Sequence, residues 1–91
     1  MSNDTERLQA DRVLQVLERA KYLDRASAIQ ELEPLRYEVG GGKNVERERA
    51  EAWLAISALH KTLTDTSDHR DLSAHWQRAI DKTNLWLASL A

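Results

Sequence analysis

The chain has no cysteine, no phenylalanine, one proline and three glycines among its 91 residues. Without cysteine there is no disulfide, no thiolate nucleophile and no Cys-ligated zinc. β-Branched residues are also scarce, with four Val, three Ile and five Thr against 13 Leu and 12 Ala. Leu and Ala lose little on entering a helix, whereas strands favour β-branched and aromatic side chains. The composition therefore points to an all-α fold. Uninterrupted apolar runs last a few residues, far short of the ~20 needed to cross a bilayer. The start, Met1 to Arg7, lacks the basic and apolar regions of a signal peptide. The expected location is the cytoplasm, with no membrane contact.

Neither sign of charge is in excess. Thirteen Lys and Arg face 15 Asp and Glu, a formal charge of −2. The stretch before the glycines and the stretch after them are both close to balanced, so neither carries the basic footprint of generic nucleic-acid binding. The chain is not acidic enough to mimic DNA. A domain of this size buries only about two-thirds of its unfolded surface, which leaves room for a second chain to complete the core.

Periodicity places the helices. Ala10, Val13, Leu14, Val16, Leu17, Ala20 and Leu23 share one arc of a first helix, expected over about Asp4 to Leu23. Ser27 and Gln30 fit a capping box opening a second helix, which Pro34 is expected to end after about two turns; a run unbroken from the first helix through Leu32 is the rival. Leu35 to Val39 reads as a helical turn or extended connector. Gly40, Gly41 and Gly42 form the main punctuation, a hinge between two helical halves of one domain spanning residues 1–91. A third helix, about Asn44 to Thr64, carries the stripe Val45, Ala52, Ile56, Leu59 and Leu63, interrupted by Arg49. Snorkelling or a carboxylate such as Glu46 or Glu18 would accommodate that arginine. A fourth helix, starting at Ser67 or Asp68, has the cleanest seam: Leu72, Trp76, Ala79, Thr83, Trp86 and Leu90. The expected architecture is a small all-α bundle of three long helices plus one short helix.

Chemistry-bearing constellations are few. Gly41, Gly42 and Lys43 before a helix make a weak anion-site candidate, but a P-loop needs Gly where Tyr37 stands and Ser or Thr where Asn44 stands. Asp71 and His75, spaced to share a metal, lack a convincing third ligand from His69, His60, Asp65 or Asp68. No metal, cofactor or catalytic residue is assigned. Helical chorismate mutases converge Arg and Lys on a dicarboxylate; Arg7, Arg25, Lys43 and Arg47 invite that comparison, but the surrounding pattern and the triple glycine depart from it. The alternating signs of Lys43, Glu46, Arg47, Glu48 and Arg49 make a poor recognition helix.

What remains is surplus apolar surface. Leu54 and Ala58 lie about 160° from Ile56, and Ala50 about 120°, on a wheel of 100° per residue. Either the third helix is buried on both faces within the chain, or this second face meets another protein. Trp76 and Trp86 are expected in the core, while Trp53 falls between the stripe and the second face. The expected function is non-enzymatic protein–protein interaction, as a small adaptor, inhibitor or regulatory subunit in the style of bacterial or phage proteins. Trp53, Leu54 and Ala58 would form the strip, rimmed by Arg47, Glu51 and Lys61, and the partner would be another protein or a second copy in a homodimer. The alternatives are a dimeric nucleic-acid-associated regulator using Arg36, Lys43 and Arg47, and a small helical enzyme or anion-binding bundle.

Overall fold

A computed structural model describes residues 4–40, 47–65 and 72–90. They form a compact all-α four-helix bundle: α1 (Asp4–Ala20), α2 (Arg25–Gly40), α3 (Arg47–Thr64) and α4 (Ser73–Ser89). Each helix packs against its two neighbours around a ring, α4 closing on α1. Pairs such as Arg19 with Glu31 and Arg12 with Glu38 show α1 and α2 antiparallel. His60 with Glu33 and Arg49 with Val39 show the same for α2 and α3.

The four helices are of similar length, which corrects the expectation of three long and one short. α2 passes through Pro34 and continues to Gly40. Proline removes the donor to the Gln30 carbonyl, but Gln30 and Pro34 are both exposed, so the lost bond falls on the solvent side of the helix, where it costs least. Ala28, Leu32, Leu35 and Val39 meanwhile form one buried stripe, so continuing the helix buries Leu35 and Val39. Alternation between Leu35 and Val39 had masked this four-residue step.

Two boundaries also move. α2 begins at Arg25 because Asp24, rather than Ser27, is the cap; its carboxylate accepts the Ser27 N–H at 3.2 Å. The Ser27 hydroxyl and that N–H hold the Asp24 carboxyl below its usual range. α1 stops at Ala20, and residues 21–24 turn the chain. Helix starts expected at Asn44 and at Ser67 or Asp68 lie outside the described residues; the described part of α4 begins at Ser73 with Leu72 at its cap position. The glycine punctuation at Gly41 and Gly42 lies outside them as well.

Trp76 and Trp86 supply bulk to a core without Phe, in which six alanines are also buried. Thr83 is fully buried and satisfies its hydroxyl on the Ala79 carbonyl at 2.8 Å. No described helix is long and apolar enough to cross a membrane.

Arg49, the exception in the α3 stripe, joins all four helices. Its Nε donates to the Val39 carbonyl at 2.8 Å and Nη2 to the Glu38 carbonyl at 2.9 Å, capping the end of α2. Nη1 lies 3.5 Å from Glu6 Oε1 on α1, and the guanidinium stands 5.5 Å from the Trp86 ring centroid on α4. The Trp86 indole N–H donates to the same Glu6 oxygen at 3.0 Å. At the opposite end Arg25, on the first turn of α2, caps α3: Nε reaches the Leu63 carbonyl at 2.6 Å, and Nη2 the carbonyls of Asp65 at 2.7 Å and Thr62 at 3.2 Å.

Pro34→Ala is expected to raise the unfolding free energy by about 1–2 kcal/mol in urea titrations. It restores the missing bond, and a looser unfolded chain offsets part of the gain. Arg49→Met should cost about 2–4 kcal/mol, since it leaves Glu6 and two helix-end carbonyls without their charged donor. A double-mutant cycle with Glu6→Gln should show coupling between the two sites.

Candidate functional site

The core stripe of α3 turns Leu54, Ala58 and Lys61 to the outside, together with Arg47 at its start. Leu54 is 58% exposed, so α3 is not buried on both faces within the chain. Glu51 sits on the side toward α4, 3.8 Å from Lys82 Nζ. Trp53 turns the other way: it packs against the core and donates its indole N–H to the Arg36 carbonyl at 3.1 Å. The centre of the exposed strip is therefore Leu54 and Ala58, with Trp53 bracing the α2–α3 contact beside it.

Along that contact runs an open groove of about 460 Å³, lined by Arg36, Leu54, Ser57, Ala58, His60, Lys61 and Thr64. Two buried polar atoms beneath it, Arg36 Nε and Ser57 Oγ, have no hydrogen-bond partner in the chain, while His60 Nε2 meets the Glu33 carboxylate. Buried polar groups are nearly always satisfied, and leaving one unmade costs roughly 1–3 kcal/mol. The Glu33 carboxylate lies against His60 Nε2 and 3.6 Å from Arg36 Nη1, which supplies charge to both. It does not meet Arg36 Nε, which stays without an acceptor.

Other apolar residues are exposed, but in different company. Leu8 lies between two grooves, one against Leu87 and one against Arg12 and Glu38. The second of these is already bridged by the Arg12–Glu38 ion pair at 3.2 Å. Tyr37 on α2 and Leu85 on α4 are also exposed. Among the described residues, the α2–α3 groove gathers the most buried polar atoms lacking a partner, and it borders an exposed Leu.

The remaining sequence candidates do not converge. Arg7 lines the groove between α1 and α4, whereas Arg25 is engaged at the far end on α3. Arg36 stands beside Glu33, and Arg47 is exposed at the start of α3. Gly41, Gly42, Lys43, Asp68, His69 and Asp71 lie outside the described residues. Among the described residues no three His, Asp or Glu side chains cluster as a metal would require. Sequence reasoning named Leu54, Ala58 and Lys61 from the wheel but missed Ser57, because a single serine in a helix gives no periodic signal. The joint position of Arg36 and His60 depended on the true length of α2.

Ser57→Ala is expected to leave the isolated chain as stable or up to about 1 kcal/mol more stable by thermal and urea unfolding, since it removes a buried hydroxyl without a partner. No protein-family model, no curated protein and no solved structure matches the chain, and its function is to be read from its own side chains.

Proposed function

We propose that the protein is a non-enzymatic protein–protein interaction module, an adaptor, inhibitor or regulatory subunit, acting through the outer face of α3 and the adjoining α2–α3 groove. One observation carries this reading: Leu54 is 58% exposed beside Ala58 on the outer face of α3, at the border of an open groove lined by Arg36, Ser57 and His60. A partner surface with apolar area over Leu54 and Ala58 and polar groups over the groove would fit both. Interfaces have that anatomy, an apolar centre with a polar and charged rim. Arg47, Glu51 and Lys61 supply the rim here.

The face is shallow and its floor is a helix surface, which suits a macromolecule better than an enclosed small molecule. Ala58 is small enough for another backbone to come close.

The test is affinity capture from extracts of the source cell with the tagged full chain and its Leu54→Asp variant side by side. Leu54→Asp changes an exposed position, so unfolding should shift by no more than ~0.5 kcal/mol. At least one protein held by the parent chain should fall about tenfold or more on the variant, as expected when an interface centre is charged. Identical captured sets on both baits would overturn the reading.

A further inference from the structure

We propose that the partner seated on the outer face of α3 is a second copy of this chain, its α3 running antiparallel about a two-fold axis between Leu54 and Ala58. The proposal rests on reading this face as an interaction surface and adds what occupies it.

The order of residues along the strip carries the argument. Arg47, Glu51, Leu54, Ala58, Lys61 and Asp65 follow one another in alternating steps of four and three, the spacing of a seam between two helices. The Asp65 N–H bonds the Lys61 carbonyl at 3.2 Å, so this residue keeps the helical register just past the end of α3. Laid against its own reverse, the strip is complementary throughout. Leu54 faces the partner's Ala58, a large side chain over a small one. Glu51 faces the partner's Lys61, and Arg47 the partner's Asp65. Two-fold symmetry makes every pairing twice. A parallel alignment would set Glu51 on Glu51 and Lys61 on Lys61, which like charges oppose.

One further feature fits this arrangement. The contact of Glu51 with Lys82 inside the chain is long, 3.8 Å, and the carboxylate is about one-third exposed, so it is available to a stronger neighbour. The seam is short: α3 has 18 residues. One helix per side buries less than the ~1,200 Å² of standard interfaces, which places the dimer in the weak, exchanging class.

Sedimentation equilibrium of the full chain over a micromolar-to-millimolar series tests this, with circular dichroism confirming the fold of each variant. The parent chain should dimerise, and Glu51→Lys and Lys61→Glu should each weaken the dimer about tenfold or more by creating two like-charge contacts. An equimolar mixture of the two variants should regain parental affinity, because each copy then meets its opposite charge. A monomer at every concentration, a dimer indifferent to both substitutions, or a mixture that fails to recover would overturn the proposal. If the chain is monomeric while Leu54→Asp still strips a captured protein, self-association alone fails; if neither experiment responds, the interaction reading fails with it.

Discussion

A guanidinium carries a charge that resists leaving water, and Arg49 sits where all four helices of this bundle come together. It stays there because every helix answers it: α2 with two carbonyls, α1 with Glu6 and α4 with the face of Trp86. Each answer needs its helix at the right height and rotation. The Trp86 indole in turn needs Glu6 for its N–H, so a fully buried tryptophan and the guanidinium share one acceptor. Buried polar networks of this kind are costly when incomplete, and that cost selects one arrangement of helices over neighbouring ones with similar apolar burial.

Much of the bundle was legible because apolar spacing is a strong signal. The stripes of α1, α3 and α4 lie largely in the core, with Leu17, Ile56, Leu59 and Trp86 at or near zero exposure; Leu23, past the end of α1, is exposed instead, and Val45 lies outside the described residues. The reading failed where a local rule met a tertiary gain. Pro34 disfavours a helix locally, but Leu35 and Val39 have core to fill beyond it, and the proline itself sits on the exposed side of the helix. For Arg49 the pattern leaves snorkelling or a nearby carboxylate such as Glu46 or Glu18 open, whereas the carboxylate beside it is Glu6. It lies 43 positions away and is brought close only when α1 and α3 enter the same bundle.

The exposed strip was legible for the same reason as the core: it is the complement of a periodic pattern. Leu54 and Ala58 stand out on a wheel without any structure. The groove beside them was not legible, because its polar side chains come from two helices and the second was expected to end before Arg36. Extending α2 moves Arg36 onto the flank of α3, and with it the character of the site changes from an apolar strip to an apolar strip edged by buried hydrogen-bonding groups.

The two arginine caps have a consequence for how that surface meets anything. Arg49 grips the end of α2 from the start of α3, and Arg25 grips the end of α3 from the start of α2. The pair is fastened at both ends in opposite directions, so sliding one helix along the other breaks a cap whichever way it moves. The groove between them is therefore fixed by the chain itself, and a partner of the kind proposed would meet it with little ordering free energy left to spend.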